Sequence, residues 1–171
     1  MTIYLDYHIQ NKELHSIGIK EESNTPIILT DTRLNNVIDY LIGNEEIVVF
    51  GKPYYIIKNN LIGMEHLLKD AEISNRWTDI KLMIRKSSGL NTSISKINEA
   101  MWGKEEKLTR LEQAYTNYDN FKLEQKMKET LNSLERIWNI IQDTGQIGFV
   151  KNYKTIWIDI NVNQYTRDDS V

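Results

Sequence analysis

The sequence predicts an α/β domain. Its expected core is a mixed sheet of about five strands, three antiparallel and then parallel, flanked by helices and followed by a C-terminal hairpin. Two observations carry that prediction. Up to residue 30, apolar residues recur with period two in short segments joined by polar turns; from residue 34 the period lengthens to that of an amphipathic helix. A short continuous apolar run, Ile47-Val48-Val49-Phe50, then marks a strand covered on both faces.

The elements follow in order. Ile3, Leu5, Tyr7 and Ile9 face one way and Tyr4, Asp6 and His8 the other, as a strand requires. Gln10-Asn11-Lys12-Glu13 turns the chain into a second strand over 14–19, and a third follows at 25–30; such short connections imply an antiparallel meander. Leu34, Val37, Ile38, Leu41 and Ile42 predict a helix over 31–42, with Thr30 or Asp31 as N-cap and Gly43 just past its end. After the buried strand at 46–50, Ile57, Leu61, Met64, Leu67 and Leu68 make a helical stripe over 55–71. Residues 77–80 read as an edge strand leading into a short helix at 81–86, with Asp79 as its cap. A loop at 87–92, a short helix at 93–102 and a polar stretch at 103–120 come next. Leu123, Met127, Leu131, Leu134, Trp138 and Ile141 predict a long helix over 121–142, ended by Gly145. Segments 148–150 and 155–162 form a hairpin expected to complete the sheet, with Ile156, Ile158, Ile160 and Val162 on one face. Residues 1–162 thus make one domain and 163–171 a flexible tail.

Composition narrows the function classes. With no cysteine among 171 residues, the chain has no disulfide scaffold, thiolate metal site or cysteine nucleophile. No apolar run approaches the length of a membrane span, and the N-terminus lacks the pattern of a signal peptide, so a cytoplasmic location without membrane association is expected. A formal charge of −3 argues against nonspecific duplex binding by bulk attraction and leaves local basic patches to be weighed. Gly-rich phosphate loops, His-Glu-x-x-His and Gly-x-Ser-x-Gly are absent.

Several residues carry chemistry at suggestive places. Asp6 and His8 share one strand face and read first as a polar pair at a sheet edge or solvated face. His15 could approach His8 across the first hairpin. Lys52 beside Tyr54 and Tyr55 is a pattern for phosphate contact and base stacking, weighed against local core packing. Lys81, Arg85, Lys86 and Lys96 surround the 87–92 loop as the best basic patch. Trp102, Trp138 and Trp157 read as core or interface anchors, and His66 as a solvent-facing residue.

The order of elements resembles the ribonuclease-H-like fold, and in particular the DEDD family of 3′–5′ exonucleases that includes polymerase proofreading domains. Tyr4-Leu5-Asp6-Tyr7-His8 sits where that family has Asp-x-Glu on its first strand, followed by Ile17-Gly18-Ile19 on the second. Val48-Val49-Phe50-Gly51-Lys52-Pro53-Tyr54-Tyr55 lies in the place of its second motif, and Trp77-Thr78-Asp79-Ile80 resembles its short Asp-led strand. The long helix resembles the one bearing the last acidic residue, with Glu135 or, in another register, Asp119 in that role. The likeness covers about residues 3–142.

The resemblance implies a two-metal phosphodiester centre in which magnesium or manganese is held by several carboxylates. Here the family's four acidic positions read as Asp6, His8, Tyr55 and either Glu135 or Asp119. Imidazole suits softer cations than magnesium, and a tyrosine does not replace a carboxylate at neutral pH. The expectation is therefore a degenerate centre with no resident cofactor, in an accessory module that binds single-stranded nucleic acid or a protein. The alternative is an active 3′–5′ exonuclease with Asp6, Glu135 and Asp119 as catalytic groups and Asp6 and His8 as metal ligands. In either case Lys52, Tyr54, Tyr55, Lys81, Arg85 and Lys86 are the nucleic-acid-binding candidates. A third reading is a small viral or mobile-element accessory protein working through protein contacts alone, with homo-oligomerisation left open; the Ile/Asn/Lys-rich composition fits an AT-rich genome.

Overall fold

The structure, a computed structural model, describes residues 1–43, 46–51, 77–103 and 120–162. The helix expected over 55–71, most of the polar stretch before the long helix and the tail fall outside the described residues, as do Lys52, Tyr54, Tyr55, His66 and Asp119.

Alternating segments near the N-terminus form β1 (Thr2–Gln10), β2 (Glu13–Glu21) and β3 (Ile27–Thr30). They are joined to β4 (Glu46–Val49) and β5 (Trp77–Asp79) in one sheet of order β3-β2-β1-β4-β5. β1 and β2 are antiparallel, as are β2 and β3, while β4 runs parallel to β1 and β5 parallel to β4. Only β2 therefore opposes the common direction, and β1 is the central strand.

Both faces of β1 are covered. Ile3, Leu5 and Tyr7 pack with Val37, Ile38 and Leu41 of α1 (Val37–Gly43). Tyr4 and Val48 pack with Ile80, Met83 and Ile84 of α2 (Ile80–Ser88), Ile94 and Ile97 of α3 (Ile94–Trp102), and Leu131, Leu134 and Trp138 of α4 (Asn120–Thr144). Every residue of the six-membered apolar stripe expected on the long helix is buried.

Three expectations need correcting. The helix predicted over 31–42 begins as a 3₁₀ segment, Asp31–Asn36, and becomes α-helical only at Val37. Thr30 makes no side-chain cap bond and Asp31 sits at φ +52°, so the first turn lacks the geometry that nucleates an α-helix. Gly43 closes α1 from within rather than following it. The C-terminal hairpin, β6 (Gln146–Lys151) and β7 (Lys154–Asp159), forms its own two-stranded sheet and does not extend the main one. Gly145, at φ +68°, turns the chain out of α4, and the Ile160 N–H donates to the Gly145 carbonyl at 2.7 Å. The hairpin thereby lies on the helical layer, with Ile147 and Phe149 buried against it.

Candidate functional site

Residues directly opposite in an antiparallel pair share a face. On the α4 side of the sheet, Tyr4 stands opposite Lys20, Asp6 opposite Gly18 and His8 opposite Ser16. The pairing then slips between His8 and Ile9, so that β2 carries one extra residue, His15, at a bulge. The bulge brings the His15 ring edge-on to His8, with centroids 5.9 Å apart, as the sequence suggested.

A polar pair at a sheet edge or solvated face is not what Asp6 and His8 become. They lie on the central strand, 5% and 3% exposed, under the helical layer. Alternation placed them correctly on one face; it could not show that α4 would cover that face.

Three residues of α4, one per helical turn, set the chemistry above this row. Ser16 Oγ donates to Met127 Sδ at 3.4 Å. A Cβ at Gly18 would come within 2.9 Å of Leu131 Cδ1 and 3.3 Å of Met127 Cε, so any larger residue there would make these side chains of the helix give way. Lys20 Nζ bonds Glu135 Oε1 at 2.8 Å, and the Ser23 N–H donates to Glu135 Oε2 at 3.4 Å. The helix thus offers thioether and aliphatic groups beside His8 and Asp6. Its carboxylate is engaged one β-step further along, by a lysine that is 5% exposed.

Among the described residues, the metal-ligating side-chain types along this stretch of β1 and β2 are the Asp6 carboxylate and the imidazoles of His8 and His15. No group of three or more His, Asp or Glu side chains placed to hold a metal ion occurs among the described residues. Such a set does not match a pair of hard divalent cations, which take several oxygen ligands.

Beyond Glu135, the same end of the sheet holds a second network. Trp138 Nε1 donates to Glu46 Oε1 at 3.1 Å, and Thr2 Oγ1 donates to the same oxygen at 3.3 Å. The hydroxyl pKa of buried Tyr4 is pushed up by burial first and then by the charges of Glu135, Glu22 and Glu46. Lys20, the close approach of the helix at Gly18 and this network escaped the sequence reading. An isolated glycine inside a strand was the available signal for close approach at Gly18.

Asp79 has the capping role expected of it: Oδ1 accepts the Leu82 N–H at 3.3 Å and the Gly51 N–H at 2.7 Å. It thereby ties the start of α2 to the end of β4. Lys81, Arg85, Lys86 and Lys96 are all exposed, the first three on α2 and the last on α3. Trp138 is a core residue and Trp102 is half-buried, with the Arg136 guanidinium 3.9 Å over its ring; Trp157 is exposed.

Compared with known proteins, the chain matches no family model, no curated protein and no solved structure. No helix among the described residues is long and apolar enough to cross a membrane.

Proposed function

We propose that this is a ribonuclease-H-like domain that binds single-stranded nucleic acid without cutting it. The strand order β3-β2-β1-β4-β5, with β2 alone antiparallel, supports the fold assignment by matching the meander-then-parallel order read from the sequence. One observation carries the functional reading: α4 lays Leu131 over Gly18, beside Asp6, and commits Glu135 to Lys20. A carboxylate held by an ammonium at 2.8 Å is poorly suited to a second role as a cation ligand. Binding then falls to the exposed cations Lys81, Arg85, Lys86 and Lys96, which can contact phosphates despite the chain's net charge of −3.

The test incubates end-labelled DNA and RNA 20-mers with the protein in magnesium or manganese, and follows both length and anisotropy. The expected result is binding without shortening. Log affinity falls with log salt at a slope of about −3 for four phosphate contacts on a single strand, and Arg85→Glu with Lys86→Glu weakens it. Shortening that Asp6→Ala abolishes would establish the active exonuclease instead, with Asp6, Glu135 and Asp119 to be tested as its acids. Absence of binding to either oligonucleotide removes the nucleic-acid reading in favour of a module working through protein contacts.

A further inference from the structure

The β6–β7 hairpin carries an open strand edge. The Ile160 N–H donates to the Gly145 carbonyl at 2.7 Å, which makes 145 and 160 a hydrogen-bonded pair. In an antiparallel ladder such pairs alternate with pairs that make no bond to each other. Along the register, Ile147 with Ile158, Phe149 with Ile156 and Lys151 with Lys154 are therefore bonded. Gln146 with Asp159, Gly148 with Trp157 and Val150 with Thr155 are not. The backbone N–H and C=O groups of Thr155, Trp157 and Asp159 thus point away from β6. No described strand pairs with that side of β7, and all three residues are exposed.

Monomeric proteins blunt such an edge with a short strand, a proline, a bulge or outward lysines. β3 and β5, the outer strands of the main sheet, have four and three residues. β7 has six, contains no proline, and runs along β6 without a slip in register. Lys154 lies on the core-facing side of the ladder with Ile156 and Ile158, so the outward row bears one charge, Asp159. The Asp159 Oδ1 accepts from Gln146 Nε2 at 2.9 Å. Trp157 does not screen the edge: a Cβ at Gly148 would meet its Cε3 and Cζ3 at 3.0 Å, so the indole leans over β6.

We infer that β7 pairs antiparallel with β7 of a second copy of this chain, joining the two hairpins into a four-stranded sheet. Only the register centred on Trp157 engages every outward residue of both strands. Thr155 then faces Asp159 of the second copy, Trp157 faces its own equivalent, and Asp159 faces Thr155. These three pairs exchange about six backbone hydrogen bonds. Moving the two-fold axis by one residue sets Asp159 against the turn residue Tyr153, or Thr155 against Asn161 beyond the strand end. The row suits a copy of itself: each Asp159 carboxylate meets a hydroxyl donor, and the two carboxylates stand about 13 Å apart. On the other side of the sheet Ile156 faces Ile158. A two-fold strand pair closes as a dimer and does not propagate into a filament. An interface of this length is smaller than the roughly 1,200 Å² of stable complexes, so the dimer is a reversible one, populated at roughly 10–500 µM chain.

Sedimentation velocity of the full chain, without nucleic acid, from about 1 to about 500 µM tests the pairing. The weight-average mass is expected to rise from 20.1 kDa toward twice that value. Thr155→Pro removes an N–H that β6 does not use, and Trp157→Lys sets two cations face to face at the axis. Each is expected to weaken dimerisation by roughly tenfold or more at unchanged circular dichroism. Trp157→Glu alone does the same, but mixed in equal amounts with Trp157→Lys it restores the dimer, because position 157 faces itself in this register. Should Thr155→Pro lose its circular dichroism, the two charged variants decide, since residue 157 is 58% exposed. A parent that stays at 20.1 kDa throughout the range overturns the inference. So does a parent whose dimer survives Trp157→Lys unchanged, or a mixture of the charged variants that stays monomeric where the parent dimerises.

Discussion

Glu135 and Lys20 differ in how far water can compensate each of them. The Lys20 side chain is 6% exposed and that of Glu135 21%, and Glu135 also accepts from the Ser23 N–H. Removing the carboxylate strands an ammonium inside the protein, whereas removing the ammonium leaves a carboxylate that still reaches solvent and a backbone donor. Glu135→Ala should therefore cost about 2–3 kcal/mol, and Lys20→Met, which keeps most of the packed volume, less than about 1 kcal/mol. Urea midpoints of the two variants check this; equal losses would contradict the asymmetry. Tyr4 makes a prediction about pH. Its hydroxyl pKa is raised in the folded protein, by burial first, above the ordinary value near 10 of the unfolded chain. The stability it contributes is fully present below pH 10 and declines as pH rises beyond it, because the unfolded chain loses its proton first. Midpoints measured from pH 8 to 11 should fall above pH 10 by up to about 1.4 kcal/mol per unit from this group, and Tyr4→Phe should flatten that part of the curve.

At the scale of elements, each helix is set by a stripe and a stop. α2 starts at Asp79 and ends at Gly89 in the left-handed conformation, whose N–H donates to the Arg85 carbonyl at 2.8 Å. α3 starts at Ser93, whose Oγ accepts the Lys96 N–H, and ends at Gly103 in the same way. These signals lie within a few residues of what they control, which is why the short helices and the long one were legible. Asp79 does more than cap, since it also takes the Gly51 N–H from the end of β4. Asp79→Ala should cost about 1–2 kcal/mol by urea denaturation, and Asp79→Asn, which keeps an acceptor, clearly less. The first helix shows where local reading stops. Its apolar spacing was correct, and Val37, Ile38 and Leu41 are buried, but the backbone at Asp31 delayed the α-helix to Val37.

For the whole molecule, the decisive fact is that β1 is central. β4 pairs with β1 between residues 44 apart in sequence, as in Thr2 with Glu46, and no local pattern reports such a pairing. Central placement turns Asp6 and His8 from a surface pair into buried groups, and it puts α4 over them. The register of α4 on β2 then decides that Met127, Leu131 and Glu135 stand over Ser16, Gly18 and Lys20. Had the helix slid by one turn, Glu135 would have been level with Gly18 and Asp6. The hairpin is the other global outcome: its strands and turn were visible in the pattern, yet packing placed it on the helices and left Trp157 outside.

What the chain determined alone was the class of fold, the order of the described elements and the cap at Asp79. All of these arise from periodicity, caps and turn residues that act over a few positions. Tertiary structure decided that Asp6 would be buried, that Glu135 would answer to Lys20, and that Trp157 would rest on Gly148 in solvent. The physical reason is range: each of these depends on how surfaces distant in sequence come into register, and one helical turn or one strand step changes which side chains meet.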